Sequence, residues 1–600
     1  MPTKASAKPK ASTKSTKVKD INLKINNIDI SVPAGTKIYD AARKAGFSIP
    51  TLCYLKGICN DGSCRICVVE VKGEKNLVTS CYAAVREGME VFTTTQKVLK
   101  DRKITLELLL SDHKVDCPSC PRAGACELKT LSNQYGCDMN RYPGKKNEYQ
   151  IDDSSGFLVR DNNRCILCRR CVHMCNKIQS VGVIGVNHRG FHTDIGQAFE
   201  AELKDSPCVA CGLCINVCPV GALTEKDDTQ KILDAIQDSS KHVIVGVAPA
   251  VRVALGEEFG HPIGTDVEGK MISSLKMLGF DKVFDVSMAA DLTIMEEGTE
   301  LLHRLHDEDA KLPMITSCSP GWVNFVEYYY PELLGHISSC KSPQQMFGAI
   351  MKTYYAEKFE LDPKNIFVAT IMPCIAKKTE ILRGSQATAD AQDVDAVITT
   401  RELARLIKKA SIEFNKLPIG DWDNPLGVGS TAGLIFGTTG GVMEASLRTL
   451  SETINKKPLK DLDFKKVRGI EYIKEASVDL DEIGKLNVAV VHTLGEARKI
   501  LEQIKEGKSE YHFIEVMACS GGCVGGGGQP IVCSDIINDN IDIPSARAKA
   551  MYSKDKKSGS RKSHENPIIQ EVYREYLGEV GGDKAHKILH TKHKKRIRHP

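Results

Sequence analysis

Cysteine is the residue type with the most chemistry to offer in this chain, and its spacing is patterned. Of 23 cysteines in 600 residues, eight stand in two copies of one run. These are Cys165-x2-Cys168-x2-Cys171-x3-Cys175 and Cys208-x2-Cys211-x2-Cys214-x3-Cys218, the second followed by Pro219. Sulfurs so spaced lie too close for ordinary disulfide geometry, and disulfide scaffolds are short, secreted chains. Thiolates grouped this way bind metal. The chain therefore reads as reduced, intracellular and cytoplasmic, with an anaerobic organelle as the alternative.

The doubled run is that of bacterial two-cluster ferredoxins, in which the fourth cysteine of each run ligates the other cluster. It assigns Cys165, Cys168, Cys171 and Cys218 to one 4Fe–4S cluster, and Cys208, Cys211, Cys214 and Cys175 to a second. Upstream, Cys53-x10-Cys64-x2-Cys67-x13-Cys81 combines a long loop, a tight pair and a distant fourth thiolate. A small β-rich domain wraps a 2Fe–2S cluster in this way; Cys59, inside the loop, is a spare. Between the two lies His113-x3-Cys117-x2-Cys120-x5-Cys126. That set of one imidazole and three thiolates could hold zinc or a third accessory 4Fe–4S cluster, and the iron–sulfur neighbours on both sides favour the cluster. Cys137 has no partner in this spacing. Up to residue 225 the chain is a row of electron relays with no substrate site.

The elements that must position these residues are legible in part. INLKINNIDIS (21–31) alternates apolar and polar, the period of a half-buried strand, and IYDAARKAG is a short helix closed by Gly46. From residue 240, KHVIVGVAP, KVFDVS, LPMITSC, NIFVATIMPC, DAVITT, LNVAVVHT and HFIEVMAC are Val/Ile-rich runs separated by helical stretches. That pattern predicts α/β with largely parallel sheets in two lobes. Cys318, Cys374 and Cys519 end three of these strands, where ligands gather in open α/β folds, so they should converge with Cys523. The glycine-rich GGCVGGGGQP lets backbone approach a bulky ligand closely.

Composition excludes other classes. No run of about 18 apolar residues could span a membrane, and no apolar segment after the first lysines reads as a secretory signal. The formal charge of +5 hides an asymmetry: residues 1–19 and 584–600 carry six and seven Lys/Arg without an acid, leaving −8 for residues 20–583. The N-terminal segment is low in complexity and expected to be disordered. Solvated ends, rather than nucleic-acid contacts, are the reading preferred here.

The motifs TSCSPGW (316–322), MPCIAKKTE (372–380) and EVMACSGGCVGGGGQP (515–530) resemble the three signatures of iron-only (FeFe) hydrogenases. TDVEGKM, DLTIMEEGTELLHRL, SCKSPQQMFGA, IFGTTGGVMEASLR and KSHENPIIQEVYREYLG are also similar to that family. The resemblance spans about residues 20–592, and the relay order matches the multi-cluster members. It implies α+β relay modules followed by a two-lobed α/β catalytic domain. The modules are a β-grasp ferredoxin, a 4Fe–4S module with one histidine and three cysteine ligands, and a bacterial two-cluster ferredoxin. The expected divisions are 1–19 basic tail, 20–98 2Fe–2S domain, 99–139 histidine-ligated 4Fe–4S domain, 140–228 two-cluster domain, 240–592 catalytic domain and 593–600 basic tail.

The resemblance further implies an H-cluster: a 4Fe–4S cubane joined through a cysteine to a diiron unit bearing CO, cyanide and a bridging amine dithiolate. Cys374, Cys519 and Cys523 would bind the cubane, with Cys523 bridging. Cys318 would be the free thiol that exchanges a proton with the amine, Lys377 would hold a cyanide, and Met372 and Met517 would pack about the diiron unit. Ser319 departs from the family, which carries a cubane-binding cysteine there. Either the site assembles around three thiolates, with alkoxide, water or a vacancy at the fourth corner, or Cys318 itself becomes the ligand. In TIMEEGTELLHRL, Glu297, Glu300 and Arg304 share a helix face. With Cys318 and Ser338 they correspond to the family's proton relay, whereas Glu296, His303 and His306 read as surface residues.

The implied activity is reversible: two protons and two electrons give H2. GVGSTAG (427–433) follows no strand and lacks nicotinamide-loop spacing, so the electron partner would be a ferredoxin or separate flavin- and NADH-binding subunits. Maturation enzymes would supply the diiron unit. Two alternatives stand: a hydrogen-sensing or degenerate relative, and an iron–sulfur electron-transfer subunit of an NADH dehydrogenase.

Overall fold

The computed structural model describes residues 19–481 and 483–597. Residues 1–18 and 598–600 of the two expected basic tails lie outside the described residues. The chain divides into two units: residues 1–54, 60–112 and 128–145, and residues 55–59, 113–127 and 146–600.

In the first unit, strands β1 (Asp20–Ile25) and β2 (Ile28–Pro33) form the predicted hairpin. Asn26 and Asn27 turn it with φ of 46° and 68°, the two left-handed positions a tight hairpin demands and Asn tolerates. β3 (Val68–Val71), β4 (Val78–Thr79) and β5 (Glu90–Phe92) complete a mixed sheet in the order β2-β1-β5-β3-β4. The alternation seen in the sequence puts Leu23 and Ile25 inward against Ile38 and Tyr39 of the helix Ile38–Lys44.

The second unit begins with two short antiparallel pairs, β6 (Leu158–Arg160) with β9 (Leu223–Glu225) and β7 (Gly185–Asn187) with β8 (Asp194–Gly196). Two four-stranded sheets follow. In the first, β10 (His242–Val247), β11 (Lys282–Asp285), β13 (Ile366–Met372) and β16 (Ala396–Thr399) are all parallel, in the order β11-β10-β13-β16. A small hairpin, β14 (Ala387–Thr388) and β15 (Ala391–Gln392), precedes β16. The second sheet runs β12-β19-β18-β17, from β12 (Met314–Ile315), β17 (Ile473–Leu480), β18 (Gly484–His492) and β19 (Phe513–Met517). β17 is the antiparallel edge, and its polar, half-exposed sequence IKEASVDL lacks the buried-strand signature that marked the others. Buried Val and Ile side chains of β10, β13 and β16 fill the larger core.

Polar order inside this unit is dense. Arg448, fully buried, donates to both oxygens of Asp555 at 2.8 and 3.0 Å and to Glu444 at 2.8 Å. The C-terminal end is held, in part, against expectation: His593 bonds the Ser338 carbonyl at 2.9 Å, and Arg596 pairs with Glu327 at 2.7 Å. A buried acid with spare acceptors draws the basic segment in. No described helix is long and apolar enough to cross a membrane.

Removing one member of a buried ion set strands the others without water. Arg448→Met should therefore lower stability by about 3–5 kcal/mol, read as a fall in the thermal midpoint of the loaded protein. Adding Asp555→Leu should recover part of that loss. An unchanged midpoint in the single variant would contradict the role given to the network.

Candidate metal centres and the buried cavity

In the first unit, Cys53, Cys64, Cys67 and Cys81 are all buried. Their sulfurs are mutual neighbours: Cys53 is hydrogen-bonded to Cys64 and Cys81, and Cys81 to Cys67. Cys59 stays out of this set and points its thiol at the Cys168 carbonyl.

His113, Cys117, Cys120 and Cys126 lie in the second unit. Burial pushes the His113 imidazole down to about 4, and its Nδ1 is buried with no partner. A neutral ring with a bare nitrogen is what a metal ligand must offer. Two buried arginines attend this group. Arg164 lies beside Cys120, and Arg122 donates to the Cys218 carbonyl at 2.8 Å. Each leaves its Nη1 buried without a partner. Cationic donors left over beside thiolates fit an anionic cluster. Sequence reasoning missed both arginines, since nothing in their local spacing distinguishes them.

The doubled run folds with its fourth cysteines exchanged. Cys165, Cys168 and Cys171 feel the charge of Cys218, while Cys208, Cys211 and Cys214 feel that of Cys175. Leu167 and Arg169 in one loop, and Ala210 and Gly212 in the other, take positive φ at matching positions. This turns backbone N–H groups toward the sulfurs, as at Leu167 to Cys165 Sγ, 3.4 Å. Burial holds the Cys165 and Cys208 thiols up at about 12; they ionise where a metal replaces the proton.

The carboxyl ends of β10, β12, β13 and β19 open on one largely apolar cavity of about 760 Å³. Cys318, Ser319, Cys374, Cys519 and Cys523 line it, with Met372, Met517 and Lys377. Lys377 Nζ donates to Ser342 at 2.7 Å and Glu380 at 2.9 Å, and lies 3.3 Å from the Cys318 carbonyl. Burial pushes the Cys523 thiol up to about 12. Ser319 starts the helix Pro320–Tyr329, and its Oγ accepts the Ala518 N–H at 3.3 Å, one residue before Cys519. Glycine makes this cradle possible: a Cβ on Gly522, at φ +88°, would meet the Thr439 nitrogen at 2.6 Å. A Cβ on Gly527 would lie 2.2 Å from the Cys211 carbonyl, so the cavity's glycine loop touches the second ferredoxin loop.

Cys318 packs with Ala290, Phe436 and Met517, and burial, then the charges of Glu297 and Cys523, push its thiol up. Glu297 is fully buried on the helix Ser287–His306. Burial, then repulsion from Glu300, lifts its carboxyl to about 8, and its Oε2 has no partner. Ser338 lies beside Glu297, and its hydroxyl donates to Glu300 Oε2 at 2.8 Å. Arg304 donates to Glu300 Oε1 at 2.6 Å and is partly exposed. His303 and His306 are exposed, as expected. Glu296 is not a surface acid: it is 1% exposed and accepts from Tyr573, His590 and the Gly581 N–H. The C-terminal segment covers that face of the helix, which helix periodicity alone does not reveal.

Family comparison agrees with this layout. Residues 241–527 match the iron only hydrogenase large subunit, C-terminal domain, and 541–596 match the iron hydrogenase small subunit. Residues 18–96 match a 2Fe-2S iron-sulfur cluster binding domain. Residues 102–141 match the NADH-ubiquinone oxidoreductase-G iron-sulfur binding region, and 156–224 the ferredoxin-like domain of NADH-quinone oxidoreductase subunit 3. The chain is 46% identical to NADP-reducing hydrogenase subunit HndD of Solidesulfovibrio fructosivorans, over 96% of this chain and 99% of the relative. It is 43% identical to iron hydrogenase 1 of Clostridium pasteurianum, covering 95% and 99%. Among solved structures, [FeFe]-hydrogenase HydA1 from Chlamydomonas reinhardtii aligns with a TM-score of 0.55 at 43% identity, over 62% of this chain and 99% of that one. Thiolate sets for 2Fe–2S and 4Fe–4S clusters leading to a buried, cysteine-lined cavity, together with this likeness along nearly the whole chain, place it in a family of oxidoreductases acting on hydrogen: the chain belongs to the iron-only hydrogenases.

Proposed function

We propose that this chain interconverts two protons and two electrons with H2 at an H-cluster seated in the 760 Å³ cavity. The observation that carries the reading is the row of groups leading from that cavity: Cys318 next to Glu297, then Ser338, Glu300 and Arg304 joined by hydrogen bonds. The diiron unit, when bound, supplies the site of H2 formation and cleavage. Cys374, Cys519 and Cys523 would hold the cubane, with Cys523 also the thiolate shared with the diiron unit, and Ser319 lines the same cavity. Lys377 would hold a cyanide by a charge-assisted hydrogen bond, and Met372 and Met517 would pack softly around the diiron unit. The position of Cys318 beside Glu297 supports its donor role.

The proton path follows from the carboxyl chemistry. Glu297 Oε2, buried and without a partner, is the atom free to exchange a proton with the Cys318 thiol. Ser338 Oγ passes it to Glu300 Oε2, and Arg304 holds Glu300 in place through Oε1. The cysteine sets of the relay modules would hold one 2Fe–2S and three accessory 4Fe–4S clusters, which would carry the electrons. Flavin- and nicotinamide-binding subunits are the preferred partners over a free ferredoxin. That preference is supported by the name of the NADP-reducing relative and by the NADH dehydrogenase-like segment.

Anaerobic production with the family's maturation enzymes should give infrared bands of metal-bound CO and cyanide, with dye-coupled H2 oxidation. A fully clustered protein with neither would refute the assignment. Ser319→Cys should slow iron loss to a chelator; equal rates would remove residue 319 from the ligand set.

Because Glu297 is held protonated up to about pH 8, H2 evolution should fall as pH rises through that value, where the relay loses its proton. Glu297→Gln should cut turnover by about 10²–10⁴-fold while leaving the infrared bands in place. A profile flat from pH 6 to 9 would contradict the assignment.

Arg164 places a positive charge beside Cys120, which favours the reduced, more negative cluster. Arg164→Gln should therefore lower the potential of the His113-ligated cluster in an EPR-monitored titration. An unmoved potential would show that the guanidinium is only structural.

A further inference from the structure

Where the relay nears the surface, the structure assembles a second group of ligands that the hydrogenase reading does not use. Cys340 Sγ, Glu300 Oε2 and His590 Nδ1 all lie within 4.8 Å of one another. The sulfur is 3.9 Å from the carboxylate oxygen and 4.0 Å from the ring nitrogen. Cys340 follows Ser338 by two residues, whereas His590 arrives from the far end of the chain, just past the helix Asp583–Leu589. An isolated bridge between Cys340 and His590 fixes the two backbones side by side.

The surroundings prepare these atoms for a cation. His590 Nε2 faces Glu296 Oε2 at 2.9 Å, so the ring proton belongs on Nε2 and the lone pair on Nδ1. Glu296 is itself held by Tyr573 and the Gly581 N–H. A buried carboxylate behind a histidine, setting its tautomer, is the support that metal-bound histidines carry. Arg304 occupies Glu300 Oε1, which leaves Oε2 as the oxygen turned toward Cys340 and Ser339. Ser339 Oγ lies 2.8 Å from His590 Nδ1 and 3.2 Å from Glu300 Oε2, at the place of a fourth ligand.

We propose that Cys340, Glu300 and His590 form a zinc-binding site that closes the proton relay. One sulfur, one imidazole and one carboxylate are zinc's preferred donors, with bond lengths of about 2.0–2.3 Å and tetrahedral donor separations of roughly 3.6 Å. The present separations of 3.9 and 4.0 Å need to shrink by only a few tenths. Binding displaces one proton: Zn2+ replaces the thiol hydrogen of Cys340, which leaves to solvent, and thiolate and carboxylate neutralise the ion. Entry is from the partly exposed edge where Arg304 and Glu300 reach solvent. Glu300 Oε2, once on the metal, no longer accepts the Ser338 proton, and both directions of turnover stop. This rests on the relay reading for its effect on turnover, but not for binding itself.

The test uses the loaded enzyme titrated with zinc sulfate under anaerobic conditions, with dye-coupled activity and zinc-edge X-ray absorption read on the same samples. One zinc per chain should abolish turnover, with one sulfur neighbour at about 2.3 Å and the CO and cyanide bands intact. Cys340→Ala should keep the basal activity, lose that sulfur neighbour and need at least 100-fold more zinc for half inhibition. His590→Gln, which keeps a polar group in place, should also raise the zinc required. Equal zinc sensitivity in Cys340→Ala, an unchanged sulfur shell, or no binding by the wild type would overturn the site. Stoichiometric binding with the Cys340-dependent sulfur but no loss of turnover would leave the zinc site standing and overturn Glu300 as a relay member.

Discussion

A thiol carried below the surface of a protein ionises only where a cation takes the proton's place, because burial penalises the bare thiolate by several pKa units. The architecture of this chain answers to that constraint. In the doubled run and around the cavity, desolvation pushes thiols such as Cys165, Cys171, Cys208, Cys214, Cys374 and Cys519 up, and cluster iron is what turns that burial from a cost into a bond. The loops around each set serve the same end. Left-handed turns at Leu167, Arg169, Ala210 and Gly212 aim N–H groups inward, and Arg122 and Arg164 bring positive charge where thiolates gather.

The same constraint explains how relay and cavity meet. Gly527 and the Cys211 carbonyl touch with no space for a side chain, so the second ferredoxin loop and the loop bearing Cys523 share one wall. Cys211, Cys374 and Cys519 feel one another's charge across it. Cys318 lines the cavity and lies beside Glu297, whose helix also carries Glu300 on its polar side. The C-terminal segment seals that polar side, since His590, Tyr573 and Gly581 bury Glu296 and with it one face of the relay helix.

Much of this was legible in the chain itself, for stateable reasons. Cluster ligation by short loops is a local property, so the spacing of Cys165 to Cys175 and of Cys208 to Cys218 announces it. Strands buried on both faces are Val/Ile-rich, and β10, β13, β16 and β19 stand out accordingly; β17, half exposed at an edge, does not. The relay helix shows where periodicity stops: a row of acids reads as a solvated face, and only the packing of residues 573–590 against it makes Glu296 an interior group. Arg122 and Arg164 were invisible because an arginine's local sequence does not say what its guanidinium meets.

The sequence by itself determined the cysteine sets, the alternation of relay modules with a two-lobed α/β region, and the family to which the motifs belong. Each of these depends on neighbours along the chain or on spacing that repeats. Tertiary structure alone decided which groups face one another across long separations: Ser319 against Ala518, Cys318 with Cys523, and His590 between Glu296, Ser339 and Cys340. Contacts between residues hundreds of positions apart leave no local signature, because they are set by how buried surfaces close on each other rather than by the order of residues.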